Sequence, residues 1–438
     1  MKKTTIARLL PAALLALGSG AASAAGFQLL EQNASGIGNA YAGSAAVAEN
    51  ASTIFFNPAG MTQLQAREFS VGVAAVRPSF DFKNKGSVIL NAPRIATSGG
   101  GGDAGSWAAL PNGYLSWALN KDLYVGVGLG APFGLITEYD DDWVGRAQAL
   151  KFDLKSYNIN PSIAYRVNDK VSVGGGFSWQ RLDAEYSRVA SVLPNAISPV
   201  PGLNATLATF DADSDAWGWN LGALFTLSPT MKVGVSYRST IDHTLKGDLK
   251  VEGPATAFAG VVPTLRSVKA EADVKLPDTF IVSVTQKLND RWEMLGDLSW
   301  TGWSSIKKVE IVRTSGAAAG TIAQTLETDF KDTWRAALGA NYLLNDAWKL
   351  KFGVAFDQSP VRDKDHRLVS LPDNDRTWFS FGGQWKATKT SALDLGVAYL
   401  YVPKTKIDND QTALGRGRVT GEYDSSVWIL GAQYSMAF

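Results

Sequence analysis

Apolar residues recur along this chain with a period of two. Met231, Val233, Val235 and Tyr237 alternate with Lys232, Gly234, Ser236 and Arg238. Trp348, Leu350, Phe352, Val354 and Phe356 alternate with Lys349, Lys351, Gly353, Ala355 and Asp357. Val171, Val173, Phe177 and Trp179 alternate with Ser172, Gly174, Ser178 and Gln180. Successive side chains of a strand point to opposite faces, so each run predicts a strand with one apolar face and one polar or small face. In a soluble sandwich the apolar face would point to a core. In a membrane barrel it points to lipid and the other face lines the lumen.

Turn spacing decides between the two. Short polar turns recur at Asn120-Lys121-Asp122, Asn168-Asp169-Lys170, Ser228-Pro229-Thr230, Asn289-Asp290-Arg291, Asn345-Asp346-Ala347 and Ala387-Thr388-Lys389, each joining two long alternating runs. Longer loops rich in Gly, Asp, Pro and Ser separate these hairpins: Lys83 to Ser106, Ala190 to Ser214 and Pro360 to Asp375 are examples. Short turns on one side and long loops on the other are the outer-membrane pattern. Trp117, Trp292, Trp348 and Trp385 lie close to the short turns, where an interfacial girdle sits. Six hairpins, with one strand before them (Arg67 to Phe82) and one after (Val419 to Phe438), predict an all-β membrane fold, a fourteen-stranded antiparallel transmembrane β-barrel. Closure removes every unpaired edge and predicts a monomer among outer-membrane lipids.

In the last run Trp428, Leu430, Ala432, Tyr434, Met436 and Phe438 form the lipid-facing row, and Val427, Ile429, Gly431, Gln433, Ser435 and Ala437 face inward. A terminal aromatic on this alternation resembles the signal read by the barrel assembly machinery.

The N-terminus has a different character. Lys2, Lys3 and Arg8 precede a short apolar core, Leu9 to Leu17, and Ala22-Ser23-Ala24 fits the small-x-small cleavage rule. The core is too short for a spanning anchor, so residues 1–24 are expected to be a signal peptide. Residues 25–66 are rich in Ala, Gly, Ser and Asn and lack a long period-two run. The apolar pieces Phe27-Gln28-Leu29-Leu30 and Ile54-Phe55-Phe56 favour burial as a plug of short helices over a disordered periplasmic tail. Residues 67–438 are then the barrel.

Composition excludes more than it identifies. Lys and Arg number 42 against 41 Asp and Glu, which gives no reason to expect a nucleic-acid partner. No cysteine is present, so disulfides, thiolate metal sites and cysteine nucleophiles are absent together. The chain holds 43 glycines and 14 tryptophans, a mix suited to twisted strands with aromatic anchors.

Several segments resemble the long-chain fatty acid transporter (FadL) family, which includes related aromatic hydrocarbon transporters. They are Ala25-Gly26-Phe27-Gln28-Leu29, Gly36-Ile37-Gly38-Asn39-Ala40-Tyr41-Ala42-Gly43 and Asn57-Pro58-Ala59. Phe133-Gly134-Leu135-Ile136-Thr137-Glu138-Tyr139 follows the expected third strand, Phe330-Lys331-Asp332 opens the tenth, and Phe352 to Pro360 looks like the eleventh and its exit. The resemblance covers nearly the whole mature chain. It implies an N-terminal hatch carrying Asn57, Pro58 and Ala59, and capture of apolar ligands on the extracellular side. The ligand then leaves sideways through a gap in the wall, without nucleotide hydrolysis. It also implies Phe27, Phe133 and Arg188 as ligand contacts, with no cofactor and no metal.

The third strand supplies a candidate gap. Leu123 to Leu129 alternates, and then Gly130-Ala131-Pro132-Phe133-Gly134 interrupts it. Pro132 cannot donate to a ladder, and Gly130 and Gly134 permit a kink. The plain alternative is a bulge at the barrel rim. An unpaired backbone group in hydrocarbon costs several kcal/mol, so a gap must face plug atoms or water.

A fatty acid also needs a partner for its carboxylate. A guanidinium stays charged and can bond both oxygens. Arg188 lies at the upper end of the fifth strand, where an exposed loop-base arginine is the alternative. The family's second basic contact is unmatched, since Leu326-Glu327-Thr328-Asp329 stands there. That departure leaves room for a neutral cargo such as an aromatic hydrocarbon. Asp140-Asp141-Asp142-Trp143 and the Asp211, Asp213, Asp215 stretch are expected to be solvated loops rather than cation sites. Only His243 and His366 exist, and neither sits in a hydrolase motif. An enzyme is therefore not expected. A Ser-His outer-membrane lipase and a general porin are the competing readings.

Overall fold

The computed structural model describes residues 26–88, 99–190 and 206–438. The expected signal peptide lies outside the described residues. The polypeptide closes into fourteen antiparallel strands. Eight are continuous: the first (Arg67–Asn84), second (Ala108–Ala118), fourth (Lys151–Asn168), fifth (Val171–Val189), sixth (Leu207–Ser228), eleventh (Trp348–Asp357), twelfth (Arg376–Lys386) and fourteenth (Arg418–Ala437). The other six run in two pieces. They are the third (Leu123–Gly130, Gly134–Glu138), seventh (Met231–Arg238, Ile241–Glu252) and eighth (Val268–Leu276, Thr279–Lys287). The ninth (Trp292–Thr301, Lys308–Arg313), tenth (Ile322–Glu327, Thr333–Leu343) and thirteenth (Ser391–Tyr401, Thr405–Asp410) complete the set.

The first and fourteenth strands close the barrel, in register from Glu68↔Ala437 to Asn84↔Gly421. The alternation falls as the sequence requires. Trp428 and Leu430 are exposed to the outside, while Val427, Ile429 and Gln433 are buried in the interior. Trp117, Trp292, Trp348 and Trp385 all face outward near the short turns. No helix among the described residues is long and apolar enough to cross a membrane, so strands alone make the wall.

Two boundaries depart from expectation. The sixth strand starts at Leu207, inside the stretch expected to be loop. Asp211, Asp213 and Asp215 are therefore not loop residues; they occupy its outer face above Trp217. Arg181 pairs with Asp213 at 3.1 Å and Lys250 with Asp211 at 3.3 Å. The wall rises past the lipid boundary marked by Trp217, and there the outward row must be polar rather than apolar. Phe330-Lys331-Asp332 does not open the tenth strand but lies in its interruption.

The interruptions line up. Arg238 pairs with Thr279, Thr279 with Thr301, and Thr301 with Thr333, and above each of these residues its strand breaks. Pro277 and Gly302 lie in the breaks, where a missing donor and a missing side chain weaken the ladder.

Residues 26–66 lie against the inner face of the wall. They form 3-10 turns at Ile37–Asn39 and Pro58–Gln63 and one helical turn at Thr53–Phe56. Ala40 and Tyr41 both adopt left-handed backbone, with φ of 47° and 57°. Arg335 Nη2 donates to Ala40 O at 2.6 Å and holds that corner.

Candidate functional site

The ladder between the second and third strands ends at Gly113↔Leu129. Beyond it the second strand continues on the first as far as Val76↔Ala108, whereas the third resumes only at Gly134, on the fourth. The N-terminal segment fills the break from inside. Leu29 N donates to Pro132 O at 2.8 Å, and Gly134 N donates to Phe27 O at 2.8 Å. Phe133 N donates to Ser156 Oγ at 2.8 Å, and Ser156 N to Phe133 O at 3.0 Å. Gln32 Nε2 donates to Ala131 O at 2.8 Å. Phe27 to Leu29 thus act as a short surrogate strand, satisfying backbone groups that lipid could not. On the facing edge Asn112 is 1% exposed, and its amide has no hydrogen-bond partner among the described residues.

Phe27 and Phe133 meet here, with ring centroids 6.1 Å apart. Phe27 also packs edge-on against Trp303 at 4.9 Å, and Trp303 against Phe330 at 5.9 Å. Gln28 Nε2 donates to Thr279 Oγ1 at 3.0 Å, and Gly26 N to Asp373 Oδ2 at 2.9 Å. The tip of the segment is therefore tied both to the wall and to the loop after the eleventh strand.

A cavity opens beside this corner. Gln28, Leu29, Phe55, Trp303, Arg238 and Arg335 are among its lining residues. Thr279, Thr301 and Thr333, at the aligned strand breaks, form part of its wall. Arg238 Nη2 donates to Phe55 O at 2.9 Å and its guanidinium lies 4.2 Å from the Phe55 ring centre. Sequence reasoning placed Arg238 on a polar face but saw no role for it, and missed Arg335. The signal was a large cation on an inward row, which alternation alone reveals.

Asn57, Pro58 and Ala59 sit against the fifth and sixth strands. Asn57, fully buried, donates from Nδ2 to Ala45 O at 2.7 Å and to Ala223 O at 2.9 Å. Its Oδ1 accepts from Ala59 N at 3.1 Å and caps the Pro58–Gln63 turn. The fit requires glycine opposite: a Cβ at Gly222 would overlap Asn57 Oδ1, and one at Gly174 would meet Ala59 N. A second anchor is ionic. Lys351 Nζ, 2% exposed, reaches Asp394 Oδ1 at 2.9 Å, Glu49 Oε2 at 3.0 Å and Ser35 O at 3.0 Å.

Arg188 is not at the kink. It lies on the long-loop side, lining a cavity of about 100 Å³ with Tyr186, Phe210 and Leu249. One continuous cluster of buried apolar side chains joins the two places, running from Phe27 and Phe133 through Leu182, Leu245 and Leu276 to Tyr186 and Phe210. Asp140, Asp141 and Asp142 are exposed, while Trp143 is buried and stacks on Tyr139 at 3.6 Å. His243 Nε2 lies 3.1 Å from Gln180 Oε1, and His366 Nδ1 lies 2.9 Å from Asp363 Oδ1.

Residues 15–438 match the model of a family described as outer membrane protein transport protein (OMPP1/FadL/TodX). The long-chain fatty acid transport protein of Salmonella typhi is 29% identical over 100% of both chains. The crystal structure of a Pseudomonas aeruginosa FadL homologue superposes with a TM-score of 0.83 at 24% identity, covering 94% of this chain and 99% of that one. The Ralstonia pickettii toluene transporter TbuX superposes with a TM-score of 0.66 at 16% identity, covering 93% and 100%.

Proposed function

The chain belongs to the outer membrane protein transport family (OMPP1/FadL/TodX), and from that premise we propose that it carries hydrophobic compounds, long-chain fatty acids foremost, across the outer membrane. In this reading residues 1–24 are a removed signal peptide, residues 25–66 a hatch and residues 67–438 the conduit. Cargo is captured on the long-loop side near Arg188, descends the apolar cluster, and leaves into the membrane past Phe27 and Phe133. The observation that carries the route is the break at Gly130, Pro132 and Gly134, filled from inside by the backbone of Phe27 to Leu29 and the side chain of Gln32. A withdrawn hatch would open a path lined by apolar side chains. No covalent step is involved. Closure of the wall by the first and fourteenth strands supports a monomer, and the outward row ending at Phe438 suits handling by the barrel assembly machinery.

The deciding experiment replaces Pro132→Val and Gly134→Val together, which lets the ladder continue. Uptake of labelled oleate by cells with normal surface levels of the variant is expected to fall at least tenfold. Undiminished uptake rules out the lateral route.

One observation favours a neutral cargo as the second reading. The stretch where the family's second basic contact is unmatched, Leu326 to Asp329, holds no basic residue, and its Asp329 is paired with Arg362 at 2.9 Å. The same route would then serve an aromatic hydrocarbon.

A further inference from the structure

Three guanidiniums converge on the long-loop side without a counter-charge. Arg188 lines the cavity there, half-buried, and donates only to its neighbour Val189 O at 3.3 Å. Arg313, on the same cavity and 8% exposed, donates from Nη1 to Thr321 Oγ1 and Ile322 O, both at 3.1 Å. Its Nε is buried with no partner. Arg416 reaches in from the loop before the fourteenth strand, where Nη2 lies 3.5 Å from Ala323 O and Nη1 3.3 Å from Gln411 Oε1. None of the three forms an ion pair among the described residues, although the chain forms many elsewhere. Residues 1–25, 89–98 and 191–205 contain no Asp or Glu, so they bring no carboxylate either.

Burying like charges together, unpaired, is costly unless a ligand neutralises them. Here the cost stands in the fold, beside Phe210, Leu249 and Ile311, which supply apolar wall for a chain. A single carboxylate would leave two of the three positive charges unmatched. A phosphate monoester carries between one and a half and two negative charges near neutrality and presents three acceptor oxygens, about one for each guanidinium.

We propose that Arg188, Arg313 and Arg416 form a head-group site that ranks amphiphiles by charge, taking a single-chain phosphate monoester in preference to a carboxylate and either in preference to a neutral head. Arg313 and Arg416 supply, from the ninth strand and the thirteenth-to-fourteenth loop, positive charge that Leu326 to Asp329 lacks. The proposal rests on the reading that Arg188 receives the head of the cargo.

The test measures binding of dodecyl phosphate, dodecanoate and dodecanol to the purified barrel in a non-ionic detergent. Dodecyl phosphate is expected to bind at least tenfold tighter than dodecanoate, and dodecanoate tighter than dodecanol. Arg313→Gln and Arg416→Gln are each expected to bring phosphate and carboxylate within about threefold while leaving dodecanol unchanged. Dodecanoate binding above dodecanol with no gain for the phosphate overturns this inference and leaves the Arg188 reading standing. Equal binding of all three overturns both. The wild-type ranking needs no variant, so poor folding of either substitution does not shelter the proposal.

Discussion

Gly134 in the third strand and Phe27 in the N-terminal segment are joined backbone to backbone, Gly134 N donating to Phe27 O at 2.8 Å. With the Leu29–Pro132 bond this makes Gln28 and Phe133 a bridged antiparallel pair. The contact with the wall is therefore a two-bond backbone ladder, backed by Gln32 Nε2 on Ala131 O. Each such bond contributes about 0.5–1.5 kcal/mol net.

That geometry permits a reversible lock. The chain has no cysteine, so Gln28→Cys with Phe133→Cys introduces a single pair at antiparallel-partner spacing. Oleate uptake is expected to be blocked when the pair is oxidised and restored on adding a reductant. Equal uptake in both redox states, with the cross-link confirmed by mass spectrometry, would show that the hatch need not leave the kink.

Lys351 holds the other side of the N-terminal segment. Lys351→Met removes the cation between Glu49 and Asp394, which is 1% exposed and left with only Gln384 as donor. Breaking a buried pair by removing one partner costs about 3–5 kcal/mol. The variant is expected to unfold at lower temperature in gel-shift melting and to conduct more ions in planar bilayers than the wild type. An unaltered melting point would mean the pair contributes little net energy.

The Asn57 contact predicts a steric asymmetry between two glycines of the wall. Gly222→Ala drives a methyl group into Asn57 and is expected to cost about 1–3 kcal/mol as overpacking. Gly113→Ala meets nothing within 4 Å and is expected to be silent. Chymotrypsin cleavage within residues 26–66, which hold Phe27, Tyr41, Phe55 and Phe56, reads the difference in the intact barrel; equal sensitivity in the two variants contradicts it.

The lipid boundary on the sixth strand lies between Trp217 and Asp215. Leu221→Arg, below that line and outward-facing, is expected to cost about 2–4 kcal/mol of folding into bilayers. Asp213→Asn, above it in a surface ion pair, is expected to cost under about 1 kcal/mol. Urea unfolding from phospholipid vesicles distinguishes them, and similar costs at both positions would misplace the boundary.

The barrel was legible because alternation, short turns and the girdle all act locally. A residue such as Leu430 must face lipid whatever else the chain does, and its period-two neighbours Ile429 and Gly431 must then face inward. Pro132 likewise advertised the third-strand break, because a missing N–H is a property of the residue itself. The failures occurred where height or partnership mattered. Asp211, Asp213 and Asp215 read as loop because nothing in their composition tells a solvated strand from a solvated turn. The aligned breaks at Ser239, Pro277, Gly302 and Thr328 were missed, since their coincidence exists only once strands lie side by side.

The candidate site divides in the same way. By itself the sequence determined the closed fourteen-stranded wall, its two faces and an interruption at Pro132 that read equally as a gap or a rim bulge, since each follows from side-chain chemistry along one strand. Only the tertiary structure decided what fills that interruption, placed Arg188 away from Phe27 and Phe133, and brought Arg313 and Arg416 to it. Those relationships join residues far apart along the chain, and registry around a barrel, unlike alternation along a strand, leaves no trace in local order.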